Sequence, residues 1–237
     1  MALQAIRRAT YDPEVRAIIM EIDSGGGGIT ASDILYNAML NFRAADTTRQ
    51  VITLCGDMAA SGAYYIALAS DHIIAHPTTV TGSIGVIIQG LNFRELAQRH
   101  GVADMTFKSG ANKDLLNPLG ESSAAQQAIV QNVVDDMHKR FVSLVATRRK
   151  IPETALVPLT DGRIFTASHA LELELIDEIG YWEDAVNRTA TLLGVPDICV
   201  YRYDESVSLM SLLQVTSRLN PRTWFGETAR LQYRLNL

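Results

Sequence analysis

The chain has 237 residues, of which 47% are hydrophobic and 20% charged, and its formal net charge is −5. This length suits one α/β domain with a sizeable core, or one domain with an appendage. The net negative charge argues against nucleic acid as a partner, since no basic face dominates, and the sequence predicts none. The two cysteines, Cys55 and Cys199, are too few for a disulfide scaffold, and Cys55 is expected in the core.

The first third of the sequence alternates strands with helices. Residues 2–10 have a helical pattern, and the apolar run 17–22 predicts a strand, which Asp23-Ser24-Gly25-Gly26-Gly27-Gly28 ends. A helix follows at once, with apolar residues at helical spacing over 31–39. Four glycines in a row would suit a linker, but a linker rarely separates a strand from a helix by so few residues. We therefore expect the glycines to let the backbone approach a ligand and direct N–H groups at it.

The next strand–helix pair contains the turn around which the chain is organised. The β-branched run 51–55 predicts a buried strand, residues 64–69 predict a buried helix, and small residues lie between them. This arrangement places Ser61 at a helix N-terminus, where unpaired N–H groups favour developing negative charge. A serine at that position is either an N-cap or a nucleophile, and on residue type alone the cap is the commoner role.

The rest of the sequence continues the alternation, and repeated strand–helix units predict an α/β fold with a mostly parallel sheet. A long amphipathic helix is predicted over 122–149, with Ile129, Val133, Met137, Phe141, Leu144 and Val145 along one face. The other predicted elements are a strand at 73–75, a segment at 81–88 in which a loop runs into a strand, a helix at 92–100, an edge strand at 106–108, a polar loop at 109–120, and helices at 167–173 and 182–193.

We divide the chain into a domain over residues 1–205 and a C-terminal tail over residues 206–237. The tail has four arginines and one acid, and it contains Trp224 and Phe225. Such a segment can pack on a neighbouring subunit, remain disordered or contact a membrane surface, and subunit or domain packing is favoured. No apolar run reaches the roughly 18–20 residues that span a bilayer, and the first eight residues lack the apolar core of a signal peptide.

A nucleophilic serine needs a base, and the sequence offers histidines and lysines. None of the histidines stands in a distinctive loop beside an acid, and their spacing predicts no metal site; they are His72, His76, His100, His138 and His169. Lys108 and Lys113 fall in a polar loop. A lysine acts as a base near neutral pH only if burial and a hydroxyl partner lower its pKa from about 10.4.

Three spaced motifs, Gly56 to Ile66, Thr81 to Val86 and Lys108 to Asp114, resemble the signal peptide peptidase A family of serine–lysine proteases. Asp161-Gly162-Arg163 and the run 175–180 resemble later motifs of that family, in the same order. The resemblance covers about residues 5–190. It implies a ClpP/crotonase-type α/β fold with a mostly parallel sheet, a peptide substrate, no cofactor and a homo-oligomer.

The resemblance also implies roles for individual residues. Ser61 corresponds to the nucleophile, Lys113 to the general base, and Ser83 to the hydroxyl that orients the lysine. The oxyanion hole corresponds to backbone N–H groups of Gly26 or Gly27, together with that of Gly62.

The sequence departs from the family pattern at three places. Ser24-Gly25-Gly26-Gly27 stands where the family usually has Ser-Pro-Gly-Gly, so the turn lacks a stiffening proline. Glu174 replaces an expected glycine. The family normally begins with a further strand and a membrane anchor before the first helix found here, so we expect a truncated or domain-only version.

The function favoured by the sequence is a serine endopeptidase that cuts short hydrophobic peptides, such as signal-peptide remnants, through an acyl-enzyme. The nearest alternative within the fold is a phage-type capsid-maturation protease with the same chemistry. A crotonase-like acyl-CoA enzyme would share the oxyanion turn without needing a serine–lysine pair. A non-enzymatic assembly module would keep the fold alone.

Overall fold

A computed structural model of the protein describes residues 2–203 and the backbone of residues 232–236. The helices are α1 (Ala2–Tyr11), α2 (Ile29–Ala45), α3 (Gly62–Ala67), α4 (Arg94–Arg99), α5 (Ala124–Arg149), α6 (Glu153–Leu156), α7 (Ala167–Glu172) and α8 (Trp182–Leu193), with a 3-10 turn at Val157–Leu159. The strands are β1 (Ala17–Ser24), β2 (Gln50–Ala60), β3 (His72–Ala75), β4 (Val80–Gly82), β5 (Ile164–Thr166), β6 (Glu178–Ile179), β7 (Val200–Arg202) and β8 (Gln232–Asn236).

All the described strands belong to one sheet, whose main order is β5-β4-β2-β1-β8-β7, with β3 joining β2 to β6. The pairs β1–β2, β2–β3, β2–β4 and β3–β6 are parallel. The pairs β4–β5, β1–β8 and β7–β8 are antiparallel. The predicted α/β fold with a mostly parallel central sheet is therefore confirmed.

The central strands are mostly apolar because helices cover both faces of the sheet. On one face, Ile18 and Met20 of β1 pack in a large cluster with residues of α1, α2, α3 and α5. On the other face, Ile19 of β1 and Ile52 of β2 pack against α8. Cys55 is fully buried, as predicted, and burial raises the pKa of its thiol to about 12.

Strand β2 changes partners halfway along its length. Its first half, Ile52 to Cys55, pairs with β3, and its second half, Met58 to Ala60, pairs with β4. The register with β1 shifts in the same region, and the Asp23 carboxylate accepts the N–H of Met58 (3.1 Å). This irregularity carries the end of β2 out to β4, and Ser61 follows directly.

The structure corrects the predictions for the middle of the chain. Residues 106–108 form no strand, and the side chain of Phe107 is 92% exposed. In the segment 81–88 the order is reversed, since the strand β4 ends at Gly82 and the residues after it are irregular. Within the described part of the chain, α4 is the only helix or strand in residues 87–123, a segment that we call the arm. Helix α5 begins with the Ser123–Gln126 capping box.

The apolar face of α5 is also only half covered. Phe141 and Val145 are buried, but Ile129, Val133 and Met137 in the first half are exposed. The amphipathic pattern correctly predicted a helix. Such a pattern also implies that other residues pack over the apolar face, but within the described chain the first half of that face is exposed.

Most of the C-terminal tail, including Trp224 and Phe225, lies outside the described residues. Residues Gln232–Asn236 form β8, whose backbone pairs with β1 on one side and β7 on the other. Among the described helices, none has the length and apolar character needed to cross a membrane.

We predict that Tyr64→Phe destabilises the fold by about 2 kcal/mol, because it leaves a buried carbonyl without its donor. The Tyr64 hydroxyl donates to the Leu175 carbonyl (2.7 Å), and both side chains are fully buried. Urea unfolding would measure the change. Tyr11→Phe is the control, since Tyr11 is 87% exposed, and its effect should stay within about 0.5 kcal/mol. Equal stability of the two variants would contradict the prediction.

Candidate active site

Ser61 occupies a strained turn between β2 and α3. Its backbone has φ 52° and ψ −122°, a conformation that few residues other than glycine adopt. Ser61 stands at the N-cap position of α3, yet its side chain makes no capping hydrogen bond. The hydroxyl is therefore left to face the surrounding cleft. A strained residue held by its neighbours is typical of a functional position.

Hydrogen bonds hold both ends of the segment that carries Ser61. At the start, the Ser61 N–H donates to the Gly82 carbonyl (2.8 Å), which ties the turn to β4. At the end, the Arg148 guanidinium of α5 donates to the carbonyls of Leu68 (2.6 Å) and Ser70 (3.0 Å). A cation at this end satisfies carbonyls that a helix leaves unpaired.

The glycine turn after β1 lies directly against the Ser61 turn. A Cβ atom on Gly26, whose φ is +108°, would lie 2.8 Å from the Gly62 nitrogen and 2.9 Å from the Cβ of Ser61. A Cβ on Gly62 would lie 2.4 Å from the Ser32 hydroxyl and 3.1 Å from the Gly27 nitrogen. Side chains at either glycine would push the two turns apart, so glycine is required at both positions.

Ser24 supplies rigidity to the glycine turn. Its hydroxyl oxygen accepts the N–H of Gly26 (3.1 Å) and donates to the carbonyl of the same residue (3.3 Å). Such a side-chain turn restrains the backbone without the proline that the sequence lacks. It also engages the Gly26 N–H, whereas Gly27 lines the cleft together with Ser61 and Gly62.

Ser83 follows Gly82, whose carbonyl accepts the N–H of Ser61. Its backbone also has a positive φ of 49°, and its N–H donates to the Arg163 carbonyl (2.7 Å). Arg163 is fixed by a bidentate ion pair with Asp161 (2.7 and 2.8 Å), which lowers the pKa of that carboxyl to about 2. The motif Asp161-Gly162-Arg163 thus holds the backbone at Ser83.

The structure does not bring Lys113 to Ser61. The Lys113 side chain is exposed, and among the described residues it forms no hydrogen bond or ion pair. Lys108 instead pairs with Asp114 (2.8 Å), and this contact lowers the pKa of the aspartate. Both lysines lie in the arm, whose apolar side chains are also uncovered.

Four of the five histidines have other side-chain partners in the described part of the chain, and no histidine is hydrogen-bonded to Ser61. His72 pairs with Glu178 (2.9 Å), and His138 bonds to the Thr160 carbonyl (2.7 Å). Over the same residues, no group of three or more His, Cys, Asp or Glu side chains is placed to hold a metal ion.

Sequence reasoning missed the cleft wall beside Ser61. Val86 lines it from the loop after β4, and Met137, Arg140 and Phe141 line it from α5. Behind the wall, the Asp33 carboxylate of α2 accepts hydrogen bonds from Arg140 (2.7 Å) and from the Tyr65 hydroxyl (2.6 Å). The Arg140 contact joins residues 107 positions apart and the Tyr65 contact residues 32 apart, so no local motif in the sequence could have revealed them.

Comparison with known proteins supplies a family for this geometry. The profile described as Peptidase family S49 matches residues 43–196. A protein of Enterococcus faecium provisionally named signal peptide peptidase SppA is 38% identical over 85% of the chain. A protein of Synechocystis provisionally named a protease is 38% identical over 83%, and Protease 4 of Haemophilus influenzae is 32% identical over 98%. The chain spans 58%, 69% and 40% of the lengths of these three relatives, respectively.

We predict that Gly26→Ala destabilises the protein by about 2 kcal/mol or more, because the new methyl group collides with Gly62 and requires a strained φ. Gly28→Ala is the matched control, since a Cβ there meets nothing within 4 Å and φ is −61°. Its effect should stay below about 1 kcal/mol. Thermal and urea unfolding would compare the two. Equal, small losses of stability in Gly26→Ala and Gly28→Ala would show that the two turns separate easily.

Proposed function

This chain belongs to Peptidase family S49, and we propose that it is a serine endopeptidase that hydrolyses short hydrophobic peptides, such as signal-peptide remnants. The observation that carries the proposal is the strained, uncapped Ser61 beside the glycine turn. The apolar residues lining the cleft, among them Val86, Met137 and Phe141, support an apolar substrate.

In the proposed reaction, Ser61 Oγ bonds to the substrate's carbonyl carbon while Lys113 Nζ takes the hydroxyl proton. The negative charge on the carbonyl oxygen is stabilised by the N–H groups of Gly27 and Gly62. Of the two candidates in the glycine turn, Gly27 is preferred because Ser24 already engages the Gly26 N–H. Donors of this kind contribute about 10²–10³-fold to rate.

The intermediate then collapses to an acyl-enzyme. The carbon–nitrogen bond breaks, and Lys113 returns the proton to the departing amine. Water then gives a proton to the same lysine while its oxygen attacks the ester carbonyl carbon. The bond between that carbon and Ser61 Oγ breaks, the lysine returns the proton to Oγ, and the peptide leaves as a carboxylic acid. Ser83 donates or accepts a hydrogen bond at the lysine and orients it, a role consistent with its backbone being fixed next to Gly82.

The position of Lys113 leads us to infer that the base reaches Ser61 through assembly of the protein. A base role requires a buried ammonium next to the nucleophile, and the single chain leaves Lys113 exposed. The arm that carries it also exposes large apolar side chains, including Ile87 (75%), Met105 (77%) and Phe107 (92%). Several exposed large apolar side chains in one segment are typical of an interaction surface.

We propose that a second copy of this chain covers the arm. Residues 87–123 contain four basic and four acidic side chains, so the arm is electrically neutral. Segments that bind anionic membrane surfaces are rich in lysine and arginine, so membrane-surface association is the weaker alternative. A homo-oligomer would bury the arm and place Lys113 of one subunit at Ser61 of the next.

We predict that Ser61→Ala and Lys113→Ala each reduce kcat/KM on an apolar fluorogenic peptide by at least about a thousand-fold, because each removes a partner of one step. The double variant should be hardly worse than either single variant. Lys108→Ala is the control and should retain most activity, since its ammonium is already paired with Asp114. Full activity in Lys113→Ala would refute the assignment of the base.

We also predict that mixing the inactive Ser61→Ala and Lys113→Ala proteins restores partial activity, because a neighbouring pair can then supply one intact serine and one intact lysine. Phe107→Asp, introduced into both proteins, should abolish both this recovery and the oligomer seen by light scattering. Tyr11→Asp, equally exposed but outside the arm, should leave both unchanged. Mixed oligomers that form without recovering activity would show that Ser61 and Lys113 act within one subunit.

A further inference from the structure

The cleft beside Ser61 contains one cation among apolar neighbours. Among the described residues that line it, Arg140 is the only charged one, and its companions on α5 are Met137 and Phe141. A guanidinium is always charged near neutral pH. An unbalanced guanidinium on the cleft wall would attract a carboxylate and disfavour an apolar side chain.

Asp33 balances this charge from behind the wall. Its Oδ1 lies 2.7 Å from Arg140 Nη2 and also accepts the Tyr65 hydroxyl (2.6 Å). The Arg140 hydrogen bond lowers the pKa of Asp33, so the carboxylate stays ionised at neutral pH. Tyr65 lines the cleft, and its ring packs against Phe141 (centroids 5.2 Å apart), so the pair is held in a fixed place.

Stability does not account for this arrangement. The side chain of Arg140 is 62% exposed and that of Asp33 is 38% exposed. Exposed ion pairs contribute little to folding because water and salt screen them. What the pair does control is the net charge presented to a molecule in the cleft, because Arg140 lines the cleft and Asp33 does not.

We propose that Asp33 is a specificity-determining residue: by neutralising Arg140, it keeps the cleft selective for uncharged, apolar substrate side chains. This inference rests on the proposed peptidase function of Ser61. A peptide carboxylate entering the cleft would have to compete with Asp33 for Arg140, whereas an apolar side chain leaves the pair undisturbed. If the charge of Asp33 is removed, Arg140 becomes available to bind an acidic side chain.

The test compares peptides that are identical except for Leu, Gln or Glu at the residue before the cleaved bond. We expect Asp33→Asn to raise the Glu-to-Gln ratio of kcat/KM by about tenfold, an amount typical of one charge contact. The gain should shrink as NaCl is raised, because salt screens the contact. Asn keeps the shape of Asp and can still accept the Tyr65 hydrogen bond, so the fold should be retained.

Three further variants separate a charge effect from a structural one. Asp33→Asn/Arg140→Gln removes both charges and should return the ratio to its wild-type value. Asp33→Glu keeps the negative charge, so the Glu-to-Gln ratio of kcat/KM should stay at its wild-type value. Asp136→Asn is the matched control, because Asp136 forms an exposed pair with Lys139 on the same helix and does not line the cleft. A gain that persists in the double variant would overturn the proposal.

A binding experiment distinguishes failure of this inference from failure of the proposed function. The same three peptides, fluorescently labelled, are titrated against Ser61→Ala and against Ser61→Ala/Asp33→Asn. The Asp33 substitution should tighten binding of the Glu peptide about tenfold relative to the Gln peptide. Unchanged relative affinities would overturn the role of Asp33. Binding with the expected shift, but no cleavage by the unaltered protein, would refute the peptidase function alone.

Discussion

The close approach of two turns is the constraint on which the candidate site depends. Strands β1 and β2 are parallel neighbours, so their carboxyl ends reach the same edge of the sheet, and α2 and α3 both begin there. The backbone at Gly26 touches Ser61 and Gly62 with no room for a side chain. This contact restrains Ser61 in its strained conformation and brings the backbones of two different turns together beside its side chain.

The parts of this arrangement that are local in sequence could be predicted from it. The β-branched run of β2, the small residues around Ser61 and the glycine run after β1 each specify a backbone conformation within a few residues. The alternation of strands and helices gave the fold class, and the spaced motifs gave the family. The missing proline indicated a looser turn, but Ser24 restrains it through its own hydroxyl. The sequence motif alone does not show that a serine hydrogen bond restrains the turn in place of a proline ring.

Features that depend on distant partners could not be predicted. The apolar pattern of α5 predicts an apolar face but not what covers it, so Phe141 is buried while Ile129 is exposed. Phe107 lies in a run with strand propensity, yet no neighbouring strand is present in the described chain to pair with it. The bond between Asp33 and Arg140 arises only because α2 and α5 pack against the same short helix, α3.

Because β4 pairs with β5, the candidate site is complete only after the ribosome has synthesised β5. The carbonyl of Gly82 holds the Ser61 turn, and the backbone of Gly82 and Ser83 is in turn held by Ile164 and Arg163. A ribosome therefore exposes Ser61 long before it makes the residues that complete the site. Nascent chains lacking that later segment lack the backbone contacts that hold the turns at Ser61 and Ser83.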